Sequence, residues 1–188
     1  MKSRNKPINN NQVIDLQEVR FSLAVRKGYR NWTGRFKEGF SETTQLSQIS
    51  LKTLSYLAQG REKGTFYIYD LIMNLKDLGS GFEFNELNSD KKMAVIDLYL
   101  FLLDQIRFEC MKRLGWLESY PAEGFTLVDL VMQHDKTDPI LQAKTPVLSR
   151  NHPDYKHYSE TNTFDREGFI RKLIPKALEE INRYSETS

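Results

Sequence analysis

Residues 89–115, SDKKMAVIDLYLFLLDQIRFECMKRLG, carry the strongest helical signal in the chain. Ser89 can cap a helix at its N-terminal end, and Gly115 can end it in the left-handed conformation. Residues 93–114 are apolar almost all round such a helix, so other helices must surround it. This stretch predicts a mainly α protein, a helical bundle built around one central apolar helix.

Four further helices are predicted from apolar residues spaced three or four apart and from capping residues. Their predicted ranges are about 43–59, 65–78, 126–134 and 163–184. Pro175 falls inside the last of them and should bend it. The expected architecture is therefore a bundle of about five helices.

The segment 18–26 fits two kinds of secondary structure. Its apolar residues alternate with polar or small ones, as in a half-buried strand. The alternating apolar residues are Val19, Phe21, Leu23 and Val25. The spacing of Leu16, Val19 and Leu23 would also suit a helix. We favour the strand. Gly28, Gly34 and Gly39 then interrupt the chain, so residues 29–40 should be irregular or form the partner strand of a short N-terminal β-hairpin.

The length of 188 residues predicts a single domain, because one hydrophobic core can serve a chain of this size. We expect a flexible tail over 1–12, a basic aromatic segment over 13–40 and a helical core over 41–188. Within that core, residues 135–162 are polar and carry three prolines, which predicts one long loop. Loops of this length are uncommon in compact domains and tend to be functional.

The composition is that of an ordinary globular protein, with 39% hydrophobic and 28% charged residues. The single cysteine, Cys110, excludes an internal disulfide, and we expect a buried, inert thiol in a reducing, cytoplasmic setting. The polar residues at the N-terminus predict no export signal, and no apolar run approaches the roughly 20 residues that a membrane helix needs. We therefore expect no membrane association and predict no cofactor.

The charge is distributed unevenly along the chain. Residues 1–40 hold nine basic and three acidic residues, so the rest of the chain is net acidic although the total charge is +2. Cations among aromatic rings suit contact with nucleic acid or with another protein. We place a candidate interaction surface here, comprising Tyr29, Arg30, Trp32, Arg35 and Phe36. The alternative is that the aromatic side chains pack onto the helical body while the cations stay in water.

Histidines and carboxylates cluster around the predicted long loop. The cluster comprises His134, Asp135, His152, Asp154 and His157. Imidazole and carboxylate groups bind divalent metals, and three of them around an open position could activate water in a metal-dependent hydrolase. The alternative is structural, with His134 at the end of a predicted helix and residues 151–154 in surface turns.

Asp97 and Asp104 lie seven residues apart on the central helix, nearly on one line. Buried carboxylates can act as acids or bases, but a solvent-facing line or pairing with an arginine accounts for these two better.

The sequence favours a non-enzymatic protein-interaction or scaffold module that binds another protein or its own copies. We expect it to use an exposed apolar patch, in residues 29–40 or in the long loop. The alternatives are a metal-dependent hydrolase that uses the histidine cluster and a nucleic-acid-binding protein that uses the basic segment.

Overall fold

The computed structural model describes residues 15–134, 141 and 144–186. Its α-helices are α1 (Leu16–Phe36), α2 (Leu51–Ala58), α3 (Glu62–Leu75), α4 (Ser89–Arg113), α5 (Leu127–Met132), α6 (Tyr155–Glu160) and α7 (Arg166–Glu186). Short 3₁₀ turns cover Leu46–Gln48, Gly81–Glu86 and Thr163–Asp165. The strands β1 (Leu117–Ser119) and β2 (Val147–Leu148) pair antiparallel. The mainly α architecture is confirmed.

In the described ranges, none of the helices is long and apolar enough to cross a membrane.

The central position of α4 agrees with the sequence. It packs against α2, α3 and α7, and most residues of its second half are buried. Asn88 caps it by accepting a hydrogen bond from the Lys91 N–H, so the predicted cap, Ser89, is one residue too late. The first half is not enclosed, because Met93 and Leu100 are exposed. The C-terminal half of α4 is therefore buried on most sides, whereas the N-terminal half buries one face, through Val95, Leu98 and Tyr99.

The predicted strand and hairpin over 18–26 are wrong, because these residues belong to α1. Asp15 caps this helix by accepting a hydrogen bond from the Gln17 N–H in its first turn. Val25, Tyr29 and Trp32, spaced three or four residues apart, bury one face of α1, which packs on α3. The helical period decides the structure because it places these large side chains together in the core.

Gly28 and Gly34, which were expected to interrupt the chain, lie inside α1. An added Cβ at Gly28 would approach the Leu71 Cδ1 atom to 2.9 Å, whereas one at Gly34 would meet nothing within 4 Å. Gly28 therefore permits the close approach of α1 to α3. Gly34 is exposed and has no such role.

The predicted helix over 43–59 is divided into a 3₁₀ turn and α2. Ser50 caps α2 by accepting a hydrogen bond from the Thr53 N–H. The Glu38 carboxylate accepts from both Ser50 and Thr53. Burial alone would raise the pKa of Glu38, but these hydrogen bonds and the charge of Arg113 outweigh it and hold the pKa below its ordinary value.

The predicted long loop over 135–162 contains regular structure, which corrects that prediction. The strand β2 lies within it and pairs with β1, and α6 follows with Tyr158 buried. Elements this short leave no periodic pattern of apolar residues in the sequence. The prolines in this range therefore led to the prediction of a loop. Residues 135–140 and 142–143, like the tail predicted over 1–12, lie outside the described residues.

The last two predicted helices exist as α5 and α7. Thr126 caps α5 by accepting a backbone N–H in its first turn. The helix α7 continues through Pro175 and packs on α2 and α4. Its buried residues include Ile170, Ile174, Ala177 and Ile181. At its far end, Ser55 of α2 and Gln59, which directly follows α2, both donate hydrogen bonds to the side-chain oxygen of Asn182.

Candidate interaction surface

The predicted interaction surface on the basic aromatic segment is divided between core and solvent. Tyr29 and Trp32 are buried, and Phe36 is half-buried among other rings. Arg30 and Arg35 are exposed. The alternative, in which the rings pack inward and the cations stay in water, is the arrangement observed.

The three histidines of the predicted metal cluster lie against three different aromatic rings. His134 contacts Phe101, His152 contacts Trp116, and His157 contacts Phe169, with ring centroids 5.0, 4.8 and 5.3 Å apart. Among the residues that the structure describes, no three His, Cys, Asp or Glu side chains form a group that could hold a metal ion. Asp135 lies outside those residues. The described members of the cluster are therefore not assembled into a metal site.

The structural contribution of His152 is visible in its contacts. Its ring is buried, and its Nδ1 atom accepts a hydrogen bond from the Asp154 N–H at 3.1 Å. Burial lowers the pKa of His152, and the carboxylate of Asp154 opposes this effect. A neutral imidazole thus holds the turn that leads into α6.

The acidic line on α4 is solvent-facing or paired with arginine, as the sequence suggested. Asp97 is exposed, and Asp104 forms ion pairs with Arg107 and Arg171. Cys110 is buried in the same helix, and burial raises the pKa of its thiol to about 12. At neutral pH the thiol is protonated and therefore a poor nucleophile.

A cavity of about 310 Å³ opens beside the ion pair of Asp104 and Arg171. Its walls include Phe101 and Phe108, and Arg171 binds a second carboxylate, that of Glu167. Both of these carboxylates are thus paired with one guanidinium.

An exposed apolar stripe runs along the outer face of α1, opposite the face that packs on α3. Leu16, Val19 and Leu23 are 78%, 44% and 48% exposed. We call these three residues the α1 stripe. Their spacing places them about one helical turn apart, on one side of the helix. Leu23 also borders a groove of about 490 Å³, whose lining includes Met132 of α5.

Four exposed cations surround the α1 stripe, namely Arg20, Arg26, Lys27 and Arg30. Arg20 binds Asp77 at 2.7 Å, but the two side chains are 78% and 79% exposed, so the pair contributes little to stability. The other three cations make no ion pair with any described residue. The outer face of α1 is therefore both apolar and basic.

A second exposed stripe lies on the N-terminal half of α4. Met93 and Leu100 are 56% and 51% exposed, and Ile96 between them is half-buried. We call these three residues the α4 stripe. Asp90 and Asp97 are exposed beside it. Lys92, four residues before Ile96, is half-buried on the other flank of the stripe. The two exposed carboxylates outnumber this cation, so the second surface is apolar and net acidic.

The sequence contained the signal for the α1 stripe, since Leu16, Val19 and Leu23 have helical spacing. It was missed because Phe21 and Val25, on the other side of the helix, complete an apparent alternation. The α1 stripe lies nearer the N-terminus than residues 29–40, one of the two places in which an exposed apolar patch was expected.

Comparison with known proteins adds no further information. No family model, no curated protein and no solved structure matches the chain. A functional proposal for this chain must therefore rest on its own geometry.

Proposed function

We propose that this protein is an interaction module that binds an acidic, apolar surface of a partner protein on the α1 stripe. The observation that carries the proposal is the exposure of Leu16, Val19 and Leu23 among four cations. Covering apolar surface favours association by about 25 cal/mol per Å². The surrounding cations favour a partner that brings Asp or Glu to the rim of the contact.

The outer face of α1 can form such a contact without rearrangement of the core. Val25, Tyr29 and Trp32 hold the opposite face of the helix, and the Trp32 Nε1–H donates to the Tyr67 carbonyl at 2.8 Å. These contacts lie C-terminal to the stripe, and within residues 16–23 only Phe21 is half-buried against the core. The stripe therefore extends from the anchored half of a preformed helix, which lowers the entropy cost of binding.

The same cations would also attract nucleic acid, because they can neutralise phosphates. Base stacking would require exposed rings, yet Tyr29 and Trp32 are buried. Leu16 and Leu23 are exposed among these cations, and contact with a phosphate backbone would not bury their apolar side chains. The arrangement therefore favours a protein partner over nucleic acid.

A displayed library of random helical peptides, selected on the wild-type protein, tests the proposal. We expect enriched peptides to combine Leu or Ile at helical spacing with flanking Asp or Glu, and to bind Leu23→Glu at least about tenfold more weakly. Phe164→Glu is the matched control, because Phe164 is 93% exposed outside this surface. It should leave peptide binding unchanged.

Two results would refute the proposal. One is the absence of enrichment, and the other is enrichment of peptides that bind Leu23→Glu as well as wild type. Binding to a fluorescent oligonucleotide that is lost in an Arg26→Ala/Lys27→Ala/Arg30→Ala variant, but kept in Leu23→Glu, would replace it with a nucleic-acid function.

A further inference from the structure

We propose that the acidic, apolar partner surface is the α4 stripe of a second copy of this chain, laid antiparallel on the α1 stripe. This inference rests on the proposed function of α1. It makes the contact heterologous, because the two copies use different surfaces.

The two stripes have the same spacing. Leu16, Val19 and Leu23 follow one another at intervals of three and four residues, and so do Met93, Ile96 and Leu100. This is the spacing of a helix–helix seam in which side chains interdigitate at a small crossing angle. The seam places Val19 opposite Ile96.

The charges next to the stripes occupy the same flank of each helix. Arg20 follows Leu16 by four residues, and Asp97 follows Met93 by four. Two helices that lie side by side in opposite directions bring the same flank of each together. The antiparallel seam therefore places Arg20 opposite Asp97, and by the same geometry Lys27 opposite Asp90. Arg20 would give up only its exposed pair with Asp77, which is weak.

Charge also disfavours the symmetric alternatives. Pairing of α1 with α1 would bring Arg20 and Lys27 against their own copies. Pairing of α4 with α4 would bring Asp90 and Asp97 against theirs. Like charges across a contact are repulsive, so only the combination of α1 with α4 matches both the apolar stripes and the charges.

The proposed contact is small, and the same contact can form again with further copies. Two stripes of about two helical turns bury far less than the about 1,600 Å² of a standard interface, so the association should be weak and sensitive to salt. After the first contact, one copy retains a free α4 stripe and the other retains a free α1 stripe. Assembly should therefore continue beyond the dimer as concentration rises.

Sedimentation velocity of the purified chain at rising concentration tests the inference. We expect the mass to grow from the 22.1 kDa of one chain through and beyond the dimer, and high salt to reverse the growth. Leu23→Glu and Leu100→Lys should each stay monomeric, while Phe164→Glu should assemble as wild type does. Circular dichroism and thermal unfolding of each variant show that the fold is kept.

The mixture of the two monomeric variants gives the sharpest result. Leu23→Glu keeps an intact α4 stripe, and Leu100→Lys keeps an intact α1 stripe. Their mixture can form only one contact, so we expect dimers that grow no further. A combination of Asp97→Arg with Arg20→Asp in one chain should likewise restore assembly that Asp97→Arg alone abolishes.

The outcomes separate this inference from the function on which it rests. A wild-type chain that stays monomeric, while selected acidic peptides still depend on Leu23, would refute self-assembly and keep the proposed function. Assembly that is unaffected by Leu100→Lys, or a mixture of variants that stays monomeric, would refute α4 as the partner surface. Failure of both peptide binding and self-assembly would refute the two proposals together.

Discussion

At the scale of single residues, the buried hydroxyl of Tyr29 lowers the stability of the fold. Its hydroxyl is buried and has no hydrogen-bond partner among the described residues. Its burial also raises the pKa of the phenol above its ordinary value. A buried polar group without a partner costs about 1–3 kcal/mol. The ring itself is well placed, because it stacks on Phe40 with 5.4 Å between the ring centroids.

We predict that Tyr29→Phe leaves the free energy of unfolding unchanged or raises it by about 1 kcal/mol, because it removes the unpaired hydroxyl and keeps the ring. Trp32→Phe is the comparison: it loses the hydrogen bond to the Tyr67 carbonyl and should lower the same free energy by about 2 kcal/mol. Denaturant unfolding measures both. A loss of stability in Tyr29→Phe as large as in Trp32→Phe would contradict the prediction.

His152 should give the protein a pH-dependent stability. Because burial lowers its pKa, the unfolded chain binds a proton at a pH where the folded chain does not. Stability is therefore complete above the unfolded pKa of about 6.5 and falls as the pH drops through that value toward the lower folded pKa.

We expect His152→Phe to reduce the difference in stability between about pH 8 and about pH 5.5, measured by urea unfolding at each pH. His157→Gln is the control, since His157 is exposed, and it should keep the wild-type difference. An unchanged pH dependence in His152→Phe would show that other groups are responsible.

At the scale of elements, the sequence predicted helices where one apolar face and clear caps coincide. The central helix, α5 and α7 meet this condition. The segment 18–26 does not, because apolar residues occupy both sides of α1: one side contributes to the core and the other forms the exposed stripe. A helix with apolar residues on two faces can show the same alternation as a strand. Only the packing of Tyr29 and Trp32 on α3 shows that this segment is a helix.

An exposed apolar surface was expected, and one is present on α1 at Leu16, Val19 and Leu23, outside the predicted ranges. Its role in binding stays a prediction. The sequence indicated an apolar interaction surface near a basic segment. It could not show which rings would be buried, because that depends on α3, more than thirty residues away, whose Tyr67 carbonyl accepts the Trp32 N–H. The histidines were predicted to form one cluster because they lie close together in the sequence. In the fold, each of them contacts a different aromatic ring.

The two glycines of α1 give a prediction for this element. Gly34→Ala should raise the free energy of unfolding by up to about 1 kcal/mol, because alanine favours the helix and the site is open. Gly28→Ala should lower it by about 1–2 kcal/mol, since the new methyl group would push against Leu71 in the core. Thermal unfolding compares them. Equal effects of the two substitutions would mean that α1 is not held closely on α3.

At the scale of the whole molecule, α7 completes the core from the far end of the chain. Ile170, Ile174 and Ile181 are buried, and each fully buried isoleucine contributes about 1.5–3 kcal/mol. Their sum approaches the total stability of a typical folded domain, about 5–15 kcal/mol. The rest of the fold therefore has little stability without this helix.

We predict that a chain ending at Asp165 shows no cooperative unfolding transition by circular dichroism. Lys172→Ala in the full chain is the control, because this side chain is exposed and its loss should leave the transition in place. A sharp transition in the shortened chain would mean that α2 and α4 form a stable core by themselves.

The hydrogen bond from Ser55 to Asn182 joins residues 127 positions apart. Translation proceeds from the N-terminus, so α2 leaves the ribosome long before the helix that covers it has been made. During this interval the faces of α2 and α4 that α7 covers in the folded protein are exposed, and transiently exposed apolar surface of this kind promotes aggregation. We therefore expect the chain to complete its folding only after α7 has been synthesised.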